Sequence, residues 1–256
     1  MKIKILGAHN TESRNSKFMT LLIDDVLVLD AGGLTSALSF RDQIKIKNVL
    51  ITHAHYDHIR DLPALAMNFF MRNKTFDLYT HQSVVDMLLN HWLNGDTYPE
   101  FHKRPAENPT LRIHLIQSGQ EFVLENYRVL PVTVTHAIPA VGYQVSSASG
   151  KTIFYTGDTG EGLSDVWSRV SPQILFIELT AANRWEESMK HSGHLTVSLL
   201  HKELIRFHEL KCYWPQVITV HANPADKIEM ESQLFSVSES LGINIQVAFE
   251  GMQFEL

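Results

Sequence analysis

The sequence predicts one α/β domain over residues 1–256, in which helices cover sheets. Three observations carry this. Short apolar runs of strand type alternate with amphipathic runs near both ends of the chain. From Phe122 onward strand signals crowd together, which implies a second sheet. No repeat, low-complexity segment or linker interrupts the pattern, and 256 residues suffice for a sizeable core.

Taken in order, Ile3 to Leu6, Phe18 to Ile23 and Val26 to Leu29 read as strands, with Asp24-Asp25 as the hairpin turn. Asp30-Ala31-Gly32-Gly33 ends the third. Val49-Leu50-Ile51 is a buried strand run whose end delivers a histidine-rich segment. Leu62 to Met71 reads as a helix, with Asp61 as N-cap and Pro63 in its first turn. A helix follows from about Ser83 to Trp92, then an irregular stretch containing Gly95, Pro99, Pro105 and Pro109. Val129 to Val134, Val141 to Val145, Thr152 to Tyr155 and Ile174 to Glu178 are strands separated by Gly, Ser and Asp turn signals. The remainder predicts a helix near Leu195 to Phe207, strand Val217 to Val220, a helix from Lys227 to Leu241 capped by Asp226 and stopped by Gly242, and strand Asn244 to Phe249.

Composition narrows the function classes. Hydrophobic residues make 44% and charged residues 20%, as in folded globular proteins. A formal charge of −6 disfavours a broad nucleic-acid or acidic-membrane surface, and His102-Lys103-Arg104 is too short a basic run to reverse this. Cys212 is the single cysteine, which excludes an intrachain disulfide and a four-thiolate zinc site. The apolar stretch at Met1 to Leu6 is too short for a signal-peptide core, and Leu62 to Met71 cannot span a bilayer. A cytoplasmic protein is expected, and no membrane partner.

The chemistry concentrates in Thr52-His53-Ala54-His55-Tyr56-Asp57-His58. In an extended segment residues two apart project to one side, so His53 and His55 can chelate one ion, while Asp57 and His58 face a neighbouring one. Imidazoles and a carboxylate suit zinc, and also manganese or iron. Three further residues of ligand type each follow a predicted strand: His136, Asp158 and His221.

On these residues the chain resembles the metallo-β-lactamase superfamily, whose pattern runs His-x-His-x-Asp-His, a lone His, a lone Asp and a C-terminal His. The resemblance implies a four-layer αββα sandwich with two mixed sheets and two divalent metal ions per chain. One ion would be bound by His53, His55 and His136, the other by Asp57, His58 and His221, with Asp158 bridging them. Asp57 counts among the catalytic groups as well. Asp30 matches a residue that supports a ligand histidine by hydrogen bonding. Asp61 stands where members often carry Gly.

Glu178-Leu179-Thr180 and Ser192-Gly193-His194-Leu195-Thr196 are similar to elements of the ribonuclease Z and class II cyclic-nucleotide phosphodiesterase branch. There the matching His binds phosphate or protonates the leaving oxygen and the acidic residue orients it, which assigns these roles to His194 and Glu178. The alternative for this segment makes Ser192 a helix cap and His194 a first-turn residue. The net charge and the lack of a basic, Gly-rich arm favour a small phosphodiester, such as a 3′,5′-cyclic nucleotide, over RNA 3′-end cleavage. A glyoxalase-type thioesterase or other metallo-hydrolase, and a diiron oxidoreductase of the same fold, are the remaining alternatives; the last usually carries Glu where His55 stands. Trp92, Tyr98 and Phe101 are aromatic residues able to shelter a base or to pack a core. Arg184, Lys190 and Asn223 are candidate phosphate contacts. Cys212, His201 and His208 read as structural, the two histidines as solvent-facing residues of a helix. Relatives commonly form homodimers.

Overall fold

The computed structural model describes residues 1–256, and the chain divides into two compact units. Unit 1 comprises residues 1–7, 13–117 and 250–256; unit 2 comprises residues 8–12 and 118–249. Each holds one seven-stranded mixed sheet flanked by helices.

In unit 1 the strands are β1 (Lys2–Gly7), β2 (Thr20–Ile23), β3 (Leu27–Leu29), β4 (Asn48–Leu50), β5 (Phe76–Thr80) and β6 (Leu111–Leu115). The C-terminal strand Gln253–Glu255 adds to the β1 edge, antiparallel to it. β1 pairs antiparallel with β2 and β2 with β3; in the turn joining β2 to β3, Asp24 and Asp25 both adopt positive φ (48° and 60°), as the central residues of a type I′ turn do, and the Val26 N–H donates to the Ile23 carbonyl. From β3 to β6 the pairing is parallel. β3 and β4 are buried along their whole length, as parallel strands covered on both faces are. The helices here are α1 (Leu34–Ala37), α2 (Phe40–Gln43), α3 (Tyr56–Ile59), α4 (Leu62–Phe70) and α5 (Gln82–Met87), the last continuing as a π-helical turn over Leu88–Trp92. α4 buries Leu62, Leu65, Ala66 and Phe69, a helical stripe whose Phe69 meets Phe76 of β5 edge to face at 4.9 Å.

Unit 2 orders its strands β13-β12-β11-β10-β9-β8-β7, where β7 is Phe122–Leu124, β8 Tyr127–Thr133, β9 Val141–Ser147, β10 Thr152–Tyr155, β11 Ile174–Glu178, β12 Gln216–Val220 and β13 Ile245–Val247. β10 to β13 are parallel and β7 to β10 antiparallel. The helices are α6 (Ser164–Arg169), α7 (Glu186–Ser192), α8 (Val197–Lys211) and α9 (Lys227–Leu241). Trp167 of α6 is fully buried and meets Phe154 and Phe207 edge to face. Its indole N–H donates to Glu203 of α8, which also accepts from the backbone N–H of Gly162 and Leu163, so this buried carboxylate pins the loop after β10. No helix is long and apolar enough to cross a membrane.

Several sequence expectations need correction. Asp61 and Asp226 stand at helix starts without capping them by side chain. Asp61 instead accepts from the Thr35 N–H and Arg60, and Asp226 pairs with Arg184, so tertiary partners outcompete the local amides. The helix expected to begin at Leu195 starts at Val197 behind an extended Thr196, and runs past Phe207 to Lys211. Cys212 ends it in a left-handed conformation. The short helices α1, α2, α3, α6 and α7, the strand β6 and the strand at Gln253–Glu255 were not anticipated. His201 and His208 are half-buried rather than solvent-facing, His208 stacking on Trp214 at 4.2 Å.

Candidate metal centre

Polar side chains of the site follow the carboxyl ends of parallel strands, where open α/β sheets present their binding residues. His53 to His58 follow β4, Asp158 follows β10, Glu178 ends β11 and His221 follows β12. At these ends the chain twice adopts positive φ at a residue other than glycine, Asp30 at 56° after β3 and His221 at 65° after β12. Such conformations cost about 1–3 kcal/mol each and persist where surrounding bonds over-determine them.

Surrounding hydrogen bonds hold both residues. Buried Asp30 accepts from the backbone N–H of Thr52 (2.8 Å), from the Thr52 hydroxyl (2.9 Å) and from Nδ1 of His58 (2.7 Å). With its proton given to Asp30, the Thr52 oxygen accepts from Nδ1 of His53 at 2.9 Å. Unit 2 repeats the device. Buried Glu178 accepts from the Thr180 hydroxyl (2.9 Å), whose oxygen accepts from Nδ1 of His221 (2.9 Å). His136 donates from Nδ1 to the Gly193 carbonyl at 2.9 Å. In all four imidazoles the network assigns the proton to Nδ1, leaving the Nε2 lone pair to act as ligand. Burial, the largest influence, holds the His136 ring below the usual histidine pKa although Asp158 and the Gly193 carbonyl raise it, so the neutral, ligating form is favoured.

The ligand-type residues form three groups: His53, His55, Asp57 and His58 in unit 1; His136, Asp158 and His221 in unit 2; and, also in unit 2, Glu178, His194 and His221, whose ligand-type atoms lie within 4.8 Å of one another. The donor chemistry fits divalent ions. Nε2 of His53 and Nδ1 of His55 are 3.1 Å apart, close to the roughly 3.3 Å between two nitrogens that each sit at about 2.0–2.1 Å from a tetrahedral ion. Nε2 of His136 and of His221 lie 4.0 and 3.4 Å from Oδ2 of Asp158, lone pairs facing a carboxylate, an arrangement a shared cation makes favourable. These clusters are compatible with a dinuclear metal site.

His194 belongs to the third group. It lies in the link between α7 and α8, not in a helical first turn, and Ser192 is the last residue of α7 rather than a cap. Gly193 ends α7 at φ 73°, and a Cβ there would come within 2.9–3.1 Å of the His136–Ala137 backbone, so only glycine brings the link this close to His136. Nδ1 of His194 donates to Glu178 at 2.6 Å, and its ring stacks on His221 at 5.6 Å and 10°. Glu178 also accepts from the backbone N–H of Thr159 and Leu195, which fixes it in place.

Other candidates fall elsewhere. Arg184 is engaged by Asp226 and Glu229, Lys190 by Glu186, and the Asn223 side chain caps a 3-10 turn through Ala225. Phe101 is buried against Phe70 and Tyr98, a core role, whereas Trp92 meets Tyr56. Sequence reasoning passed over the hydroxyls of Thr52 and Thr180, and His81, whose Nε2 donates to the Thr52 carbonyl (3.1 Å) while Nδ1 accepts from Ser83. A Thr directly before the first His of the motif, and another two residues after the acidic Glu178, are the signals that could have found the hydroxyls.

Comparison with known proteins gives a consistent picture. A family model described as a beta-lactamase superfamily domain matches residues 22–222. Ribonuclease Z of Pyrococcus abyssi is 27% identical over 143 residues, covering 54% of this chain and 44% of that protein. Ribonuclease Z of Methanococcus maripaludis is 30% identical over 156 residues, covering 56% and 48%. The matched segments therefore span about half the length of these relatives. Among solved structures, unliganded yeast PDE1 superposes with a TM-score of 0.86 at 17% identity, covering 100% of this chain and 99% of that one. Human tRNase Z, short form, gives 0.72 at 19% identity, covering 100% and 99%. At such identities these structures establish the fold.

Proposed function

The chain belongs to the metallo-β-lactamase superfamily, and from that premise we propose that it is a dinuclear metal-dependent phosphodiesterase acting on a small phosphodiester such as a 3′,5′-cyclic nucleotide. The observation that carries the reading is the Glu178–His194 pair, which shares a group of ligand-type atoms with His221. In this proposal His53, His55 and His136 would hold one ion, Asp57, His58 and His221 the other, and Asp158 would be shared by both. Zinc suits the imidazole-rich set, with manganese or iron as substitutes. When bound, such a pair would make hydroxide available at neutral pH and would offset charge developing on the phosphate.

The remaining work falls to side chains. Glu178 fixes the His194 ring and offsets the positive charge of its protonated form, so Nε2 can donate to a phosphate oxygen or to the departing ribose oxygen. Thr52 and Thr180 orient His53 and His221 by accepting their Nδ1 protons. Thr180→Val keeps the shape and removes that acceptor; metal affinity, read by competition with a chromophoric chelator, is expected to fall about tenfold to a hundredfold, while Thr180→Ser stays near wild type. An unchanged affinity in Thr180→Val would remove Thr180 from this role.

A second reading, ribonuclease Z-like cleavage of RNA 3′ ends, is favoured by the names of the sequence relatives and opposed by the charge of −6. Metal-loaded protein assayed on cyclic AMP, bis(p-nitrophenyl) phosphate, a pre-tRNA, a lactam and a glutathione thioester decides between them. Chelator-sensitive cleavage of the small diesters is expected. Preferential cleavage of pre-tRNA selects the second reading, and efficient turnover of lactam or thioester with every diester inert overturns both. The chain is further proposed to act as a single domain, which the matched segment running through residues of both units supports, and as a cytoplasmic homodimer.

A further inference from the structure

Tyr56 sits between His55 and Asp57 in the sequence and opens α3, yet its side chain is 58% exposed. A large aromatic left in water between two partly buried residues of ligand type marks a candidate contact surface. It is firmly held. Phe18 meets its ring edge to face at 5.9 Å and 87°, and Trp92 does so at 5.8 Å and 67°. The guanidinium of Arg60, one turn further along, lies over the Phe18 ring at 5.0 Å. Gly32 makes the assembly possible: a Cβ there would lie 1.8 Å from the Asp57 carbonyl oxygen and 2.6 Å from Cβ of Phe18. Glycine thus lets Phe18 approach the ligand segment, and Phe18 and Trp92 brace Tyr56 from two sides.

We propose that Tyr56, braced by Phe18 and Trp92, is the stacking shelf for the nucleobase of the substrate and thereby sets a preference for nucleoside phosphodiesters. This rests on the phosphodiesterase reading above and names the substrate class that reading leaves open. A tyrosine held on two sides offers a rigid π surface at little entropic cost, and every base has a π face to lay on it. Adjacent α-carbons are about 3.8 Å apart, so the shelf is anchored one residue from ligands on either side. A phosphodiester held by those ligands keeps its base within reach of the ring. Because stacking does not read base edges, purine and pyrimidine nucleotides should both be accepted, with purines preferred for their larger face.

The test compares Tyr56→Ala and Tyr56→Phe on 3′,5′-cyclic AMP and on ribose 3′,5′-cyclic phosphate, which lacks the base. Loss of one stacked base corresponds to about a fivefold to hundredfold weakening. KM for cyclic AMP is expected to rise by that factor in Tyr56→Ala, with kcat and metal content little changed, KM for the base-free diester unmoved, and Tyr56→Phe near wild type. Equal changes on the two substrates, or none on either, would overturn the proposal while leaving the phosphodiesterase reading intact. If wild-type protein cleaves neither diester, that reading fails separately, and equilibrium dialysis decides the shelf. Selective weakening of AMP over ribose 5-phosphate in Tyr56→Ala supports it, and equal binding of each by both proteins overturns it.

Discussion

Asp158→Ala is expected to lose at least one of two ions per chain and to abolish phosphodiester turnover. Asp158 is buried, with Oδ2 at 3.4 Å from Nε2 of His221 and 4.0 Å from Nε2 of His136, so one carboxylate oxygen faces two imidazoles. Two divalent ions about 3.5–4 Å apart repel about four times as strongly as two unit charges at that distance. A carboxylate between them offsets that repulsion, and alanine leaves it in full. Removing a mere outer partner of a ligand costs about tenfold to a hundredfold in affinity or activity, so loss of a shared ligand should exceed this. Elemental analysis of wild type should give two ions per chain and of Asp158→Ala one or fewer. Retention of both ions with full activity would sink the bridging assignment.

The residues of that centre were legible because each ends or follows a recognisable strand. Val49-Leu50-Ile51 and Val217 to Val220 are apolar runs suited to parallel strands, and polar residues placed just past them project from the sheet end, as His53 and His221 do. What the sequence hid depends on contacts distant along the chain. Asp226 has the residue type of an N-cap, but Arg184 claims its carboxylate from 42 residues away. Asp61 is taken similarly by the Thr35 N–H. α7 was invisible because it buries no residue and so carries no apolar stripe; Gly193 and the Lys190–Glu186 pair mark it only once it is drawn. The hydroxyl relays through Thr52 and Thr180 also need the fold, since a threonine in a strand end gives no hint of which carboxylate lies beside it.

His194→Ala should keep its metals and still lose turnover, by a factor that depends on the leaving group. His194 is bound through Nδ1 to Glu178, an acidic partner that orients the ring. In the proposed reaction Nε2 is the atom offered to substrate. Proton donation to a leaving oxygen is worth roughly a hundredfold to ten-thousandfold. That help matters most where the leaving oxygen is basic, as in the ribose alkoxide of a cyclic nucleotide or RNA, and least for a nitrophenolate, which departs without a proton. Turnover of cyclic AMP is therefore expected to fall far more than turnover of bis(p-nitrophenyl) phosphate, at unchanged metal content by elemental analysis. Glu178→Gln removes the charge opposite the ring and should show the same leaving-group dependence in weaker form. Equal losses on both substrates would make His194 a phosphate-binding residue, since a contact to a phosphoryl oxygen serves either ester alike. No loss on either would take His194 out of the reaction.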